Sequence, residues 1–263
     1  MSMTKANGVV EIIKNRGINA ETMTKNDNGV TRIGITVGDG NVRPTIYPDF
    51  MQNNLENIAD HVIEVYEREK GDHPEFEDII SKFDDFDFVK RDIIPCVLKE
   101  TADDMVQRDY LDIKVNYRYI LKNGNASVVI RTPHINTWGI TEDELFKIAK
   151  DNVISKYEDV DLGSLIPMLS GIPSPFIVLK LGGNFDNYGA SALLFPELFE
   201  KYGDGTIIIP SSIHELLILT EKTDNVLGLV DMIKSVNESQ LSPNEVLADH
   251  PYVYEDGKIK EVM

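Results

Sequence analysis

The residues with the most chemical potential are two serines and a histidine set close together, Ser211, Ser212 and His214 in Pro-Ser-Ser-Ile-His-Glu, with Glu215 adjacent and Asp249 and His250 downstream. A serine hydroxyl becomes a nucleophile when an imidazole takes its proton and a carboxylate orients that imidazole. No Gly-x-Ser-x-Gly elbow surrounds either serine, and serines after a proline between two apolar strands are ordinary turn chemistry. The other histidines, His61, His73 and His134, show no i, i+4 pairing, and Cys96 is the single cysteine, so neither a zincin helix nor a thiolate zinc set can be assembled. Cys96 lies in the apolar run Ile93–Leu98, which predicts a buried, inert thiol. Asp84, Asp85 and Asp87 interleave with Phe83, Phe86 and Phe88 but lack the central glycine and closing glutamate of a calcium loop; a solvated acidic face with the rings turned inward is expected. Gly182-Gly183-Asn184 has no following Lys-Ser/Thr to cradle phosphate and is expected to form a loop turn. On these grounds no catalytic, cofactor-binding or metal-ligating residue is assigned, and no cofactor is expected.

The elements that must position these groups follow from hydrophobic periodicity. Ile18 to Lys25 reads as a strand, Asn26-Asp27-Asn28-Gly29 as a turn, and Val30 to Val37 as the returning strand, with Ile33, Ile35 and Val37 alternating. A second turn at Gly38-Asp39-Gly40-Asn41 leads into Val42 to Tyr47. The stripe Leu55, Ile58, Ala59, Val62, Val65 and Tyr66 predicts a helix from about Met51 to Glu69. The order then recurs. Leu111, Ile113, Val115, Tyr117 and Tyr119 alternate with Asp112, Lys114, Asn116 and Arg118; a turn at Lys122–Asn125 and a strand Ser127 to Arg131 follow. The next helix starts at the capping box Thr141-Glu142-Asp143-Glu144, with Leu145, Ile148, Ala149 and Val153 inward. In the third round, Thr206 to Ile209 and His214 to Leu219 precede a helix Asp224 to Val236, with Val226, Leu229, Val230, Ile233 and Val236 on one face. Short helices in His73 to Val89, a buried strand Pro173 to Leu181, a short helix between Pro196 and Gly203, a capping box at Ser242-Pro243-Asn244-Glu245 and a closing hairpin about Asp256-Gly257 complete the layout. Recurring ββα units predict an α+β fold, antiparallel sheet with helices packed on one face. The chain divides into lobes 1–105 and 106–263, or folds as one integrated domain.

Composition bounds the function. Hydrophobic residues at 42% and charged residues at 27% are globular usage, so an ordered chain is expected throughout. The formal net charge is -18, and residues 134–263 carry 9 Lys and Arg against 21 Asp and Glu, with no arginine after Arg131. Binding a polyphosphate requires cations to neutralise it, so direct nucleic-acid and acidic-membrane binding are excluded and a basic protein surface is the partner to expect. The opening segment has no uninterrupted apolar stretch of a signal peptide, no run reaches membrane-span length, and one cysteine precludes an internal disulfide; a cytoplasmic location is expected.

Three segments together carry a resemblance: Asn41-Val42-Arg43-Pro44-Thr45-Ile46-Tyr47; Trp138-Gly139-Ile140-Thr141-Glu142-Asp143-Glu144-Leu145-Phe146 with Ala149 and Asn152; and Tyr188-Gly189-Ala190-Ser191-Ala192-Leu193-Leu194 leading to Ile208–Glu215. Over about residues 18 to 255 the chain resembles a family of uncharacterised proteins from gut Firmicutes and their mobile elements. That family is itself similar, in the last two segments, to the uncharacterised YtpQ-like proteins of bacilli. The resemblance implies a cytosolic bacterial protein and brings no reaction, cofactor or site residue. The reading favoured is a non-enzymatic binding or regulatory protein acting through its acidic surface. Two alternatives stand beside it: an acidic nucleic-acid mimic carried on a mobile element, and a hydrolase using Ser211 or Ser212 with His214 or His250.

Overall fold

The computed structural model describes residues 1–39, 43–48, 54–71, 74–121, 126–165, 174–220 and 225–262. Two compact units are present, Met1–Ile80 and Ser81–Met263.

In the first unit α1 (Met3–Asn15) precedes a sheet of β1 (Ala20–Asp27), β2 (Val30–Val37) and β3 (Thr45–Ile46), antiparallel and in that order, and α2 (Leu55–Glu69) follows. Helix α1 was not anticipated; its buried Ala6, Val9, Val10 and Ile13 form a narrow stripe that Gly8 and several polar residues obscure. The β1–β2 hairpin turns at the expected Asn28-Gly29, both with positive φ. Ile35, Val37 and Ala20 meet Val9, Ile13, Ile58, Ala59 and Val62 in one core, so both helices cover the same sheet face. Leu55, expected inward, is 36% exposed at the first turn of α2. Asn54 caps α2 by accepting from the Asn57 amide at 2.9 Å, and the expected Met51 start lies outside the described residues.

The second unit opens with α3 (Pro74–Lys82, beginning in the first unit's last residues) and α4 (Phe86–Val89), the short helices expected there. Strand β4 (Ile93–Leu98) pairs along one edge of β6 (Ile113–Ile120); β5 (Gln107–Tyr110) and β7 (Ser127–Val129) pair with β6 along successive stretches. The β4–β6 ladder joins residues on both sides of position 105. After α5 (Thr132–Trp138) comes α6 (Glu142–Val153), whose start is the expected capping box: Thr141 Oγ1 accepts from the Glu144 amide while Glu144 accepts from the Thr141 amide at 2.8 Å. Leu145, Ala149 and Val153 are buried as expected, and α6 packs on β4. Next follow β8 (Tyr157–Asp161), α7 (Leu162–Leu165) and β9 (Phe176–Leu181). The third round becomes β10 (Thr206–Pro210), β11 (Leu216–Leu219) and α8 (Val226–Gln240), and the tail forms the expected hairpin of β12 (Tyr252–Glu255) and β13 (Lys258–Glu261). These strands make a six-stranded antiparallel sheet in the order β13-β12-β10-β11-β9-β8. Val236 of α8, expected inward, is 43% exposed, because Ile233 and Asn237 are the buried positions there. With antiparallel sheets and helices throughout, the fold is α+β.

Gly182-Gly183-Asn184, expected to form a loop turn, instead opens a 3₁₀ run over Gly183–Leu194 that is broken at Tyr188. Its second half, Gly189 to Leu194, is fully buried and touches β4 of one sheet and β9 and β11 of the other. At Gly189 an added Cβ would stand 2.9 Å from the His214 carbonyl oxygen and 3.0 Å from that of Leu179. Both contacts are backbone, Leu179 in the paired strand β9 and His214 in the turn that leads into β11, so neither can yield cheaply. The substitution Gly189→Ala is expected to destabilise by about 1–3 kcal/mol, the usual cost of overpacking, read as a lower midpoint in urea unfolding; an unchanged midpoint would show that the two layers can separate.

Candidate functional site

Ser211, Ser212 and His214 sit together in the turn between β10 and β11, but their bonds are those of a turn. Ser211 Oγ donates to Glu215 at 3.4 Å, and Ser212 Oγ accepts from the His214 amide at 3.0 Å. His214 Nδ1 lies 2.9 Å from the Asn187 carbonyl, which can only accept, so Nδ1 carries the proton; Nε2 faces Glu245 at 3.8 Å. Among the described residues neither serine hydroxyl meets an imidazole, and the geometric condition for a serine hydrolase at this turn is not met. Asp249 is occupied elsewhere, accepting from Asn237 at 2.8 Å.

The aromatic and acidic stretch resolves as expected. Asp85 caps α4 through the Asp87 amide, Asp87 pairs with Lys90, and Phe83 and Phe86 pack against Trp138, whose indole donates to the Phe83 carbonyl at 2.9 Å. His134 is part of the same cluster; its Nδ1 accepts from the Arg131 amide at 3.0 Å, and burial, then Arg131, lowers its pKa. His61 lies on α2, and His73 lies outside the described residues. Gly182 donates its amide to the Lys156 carbonyl and leads into the 3₁₀ run.

Two groupings were not legible in sequence. The first is a buried polar layer on the face of β6 turned toward the 3₁₀ run. Asn116, expected as the solvent-side residue of an alternating strand, is 0% exposed, because this sheet is covered on both faces. It stands across from Cys96 in β4, and among the described residues neither its Nδ2 nor its Oδ1 has a hydrogen-bond partner. Around it the polar groups are paired: Arg118 donates to Ser127, Tyr188 donates to Ser127 at 3.3 Å, and the Tyr157 and Ser191 hydroxyls bond at 2.7 Å. Cys96 is buried, as expected, and burial pushes its thiol up to about 12.

The second grouping joins the two sheets at the surface. Asp112 sits at the β5–β6 turn, next to Leu111, which adopts φ 52°. His250, two residues before Tyr252, and Glu261, directly across from Tyr252, share one face of the β12–β13 ribbon. His250 Nε2 lies 3.0 Å from Asp112 Oδ2, and the Tyr252 hydroxyl donates to Asp112 Oδ1 at 2.7 Å. Burial alone lowers the His250 pKa, yet the Pro251 carbonyl and the Asp112 and Glu261 carboxylates outweigh it, and the imidazole titrates above its ordinary value. Asp112 and His250 are 138 positions apart, so no local motif could have signalled the pair.

In the first unit, Glu21, Thr22, Met23, Thr36, Arg43 and Thr45 line an open groove of about 390 Å³ on the sheet. Thr36 and Thr45 share a hydrogen bond at 2.8 Å there, and Arg43 pairs with Glu21 at 2.6 Å.

The profile of the Family of unknown function (DUF5688) matches residues 4–173 and 179–256, nearly the whole chain. The chain belongs to this family. No curated protein and no solved structure matches it. Family membership therefore assigns no reaction, and the geometry of this member carries the functional argument. Among the described residues no helix is long and apolar enough to cross a membrane.

The buried layer yields two expectations. Cys96 should resist alkylation in the native protein at pH 8 and react fully once unfolded, as mass spectrometry would record; native labelling would mean that this sheet opens. Asn116→Leu, close in shape and free of polar atoms, should raise stability by about 1–3 kcal/mol, the cost of an unsatisfied buried group. A lower urea midpoint would instead mean that the carboxamide is satisfied by something the side chain specifically holds.

Proposed function

We propose that the protein is a non-enzymatic binding protein that receives a basic protein partner on its acidic surface. The observation that carries this reading is how the cations are used. Arg16 pairs with Glu56 and Asp60, Arg32 with Asp27, Arg43 with Glu21, Arg108 with Glu142 and Asp143, and Arg131 with Asp104. With these five guanidinium groups turned onto its own carboxylates, the chain presents a net charge of -18 to its surroundings. Such a surface repels polyphosphates and anionic lipid and draws cationic faces by steering.

In its more specific form the reading is of a decoy: an acidic protein of a Firmicute mobile element, working in the cytosol, that occupies the nucleic-acid site of a basic protein. The similarity to YtpQ-like proteins belongs to the same reading and supplies no other activity.

Affinity capture from a native lysate tests both forms. Partners should be retained at about 0.1 M salt and released at about 1 M, where the screening length falls from about 10 Å to about 3 Å. Retention that ignores salt, or no partner at low salt, would remove the reading. For the decoy form, nucleic acid added in excess should displace the protein from its partner; a ternary complex would rule that form out and leave the broader one standing.

A further inference from the structure

The clasp of Asp112, His250, Tyr252 and Glu261 has an unusual feature for a surface cluster: its imidazole is oriented. His250 Nδ1 lies 3.0 Å from the Pro251 carbonyl oxygen, which has lone pairs only, so Nδ1 carries a hydrogen and donates it. That fixes Nε2 as the nitrogen facing the carboxylates. In the neutral ring its lone pair points at Asp112 Oδ2, 3.0 Å away, and one ligand atom from each of Asp112, His250 and Glu261 lies within 4.8 Å of the others. Lone pairs gathered this closely repel one another unless positive charge lies among them, supplied either by a proton shared within the His250–Asp112 pair or by a metal ion.

We propose that Asp112, His250 and Glu261 form a binding site for a divalent transition-metal ion, with one nitrogen and two oxygen donors. Zinc is bound at about 2.0–2.2 Å by imidazole nitrogen and carboxylate oxygen. Ligand atoms at that distance around a tetrahedral centre stand about 3.4 Å apart; the His250 and Asp112 atoms stand 3.0 Å apart and all three ligand atoms lie within 4.8 Å of one another, so small side-chain rotations close the site. The surrounding bonds are those that such sites use to orient ligands: the second imidazole nitrogen donates to a backbone carbonyl, and the Tyr252 hydroxyl holds the far oxygen of Asp112. The absence of thiolate and the mixed imidazole and carboxylate set suit Zn²⁺, Mn²⁺ or Fe²⁺. Three protein donors leave coordination positions for water, and the ion would tie the β5–β6 turn of one sheet to the edge ribbon of the other. This inference does not depend on the acidic-surface reading.

Calorimetric titration of the chelator-treated full chain with Zn²⁺ at pH 7.5 tests it, with Mn²⁺ followed by electron paramagnetic resonance as a second probe. The wild-type chain is expected to take up one equivalent. His250→Gln and Asp112→Asn should abolish that event, Glu261→Gln should weaken it by removing a charged donor, and Tyr252→Phe should weaken it by about 10–100-fold, the usual effect of losing a supporting group. Circular dichroism of each variant separates loss of binding from loss of fold, and Glu261→Gln and Tyr252→Phe keep the test valid if the other two fail to fold. Binding that survives in all folded variants would reveal scattered carboxylates only. No binding by the wild type would show that a proton fills the site. Either result overturns the proposal.

Discussion

Among the described glycines of the second unit, the tightest approach to backbone is the passage of Gly189 between the Leu179 and His214 carbonyls, and the packing between the two sheets depends on it. A 3₁₀ segment is narrower than an α-helix, and here its buried residues are small where the backbone is tightest: Gly189, Ala190, Ser191 and Ala192. Larger residues, Leu193, Leu194 and Phe195, come afterwards. The Ala190 amide donates to the His214 carbonyl, and Ser191 donates to the Tyr188 carbonyl while bonding the Tyr157 hydroxyl, so the segment is pinned by backbone and side chain alike. The same contact explains His214. Its carbonyl receives Ala190 and its ring meets the Asn187 carbonyl, so a residue that looked like a general base is part of the scaffold that holds the 3₁₀ run.

What could be read from sequence were the features encoded locally. The hairpin at Asn28-Gly29, the capping box at Thr141 and Glu144, and the closing turn at Asp256-Gly257 each depend on residues within a few positions of one another. Strand β4 is a different case. All six of its residues are buried, so it shows no alternation, and its run of Ile93, Ile94, Pro95, Cys96, Val97 and Leu98 indicates burial without indicating a strand. The covering of β6 on both faces also reverses the meaning of Asn116, since alternation identifies two faces and cannot say that both are dry. The Asp112, His250 and Glu261 clasp is created by the pairing of β12 with β13 and by the docking of two sheets, and it exists only once the tertiary fold does.

Electrostatics divides the ion pairs into two kinds. Arg16 with Glu56 and Asp60, or Lys201 with Asp159, are exposed pairs whose attraction water and salt screen, so they add little to stability. Arg108 is differently placed: it donates to Glu142 and Asp143, lies 4.4 Å over the Phe146 ring, and shares Glu142 with the buried Tyr117 hydroxyl, whose pKa burial and then Glu142 push up. This network locks the first turn of α6 to β5 and β6, where acidic residues also favour the helix N-terminus.

Unpaired acidity elsewhere has the opposite effect, because like charges repel in the compact state more than in the unfolded chain. Solubility alone needs a net charge of only about 2 to 8 for a small domain, and this chain carries -18. The excess therefore works against the fold that bears it, and a bound cation relieves it wherever carboxylates converge. Repulsion between the Asp112 and Glu261 carboxylates is relieved in the same way by any positive charge held between them, while the Tyr252 hydroxyl disperses part of the charge on Asp112. On the open surface Arg16 plays the same part between Glu56 and Asp60, and the net charge that remains is met by counterions or by a partner that brings its own cations.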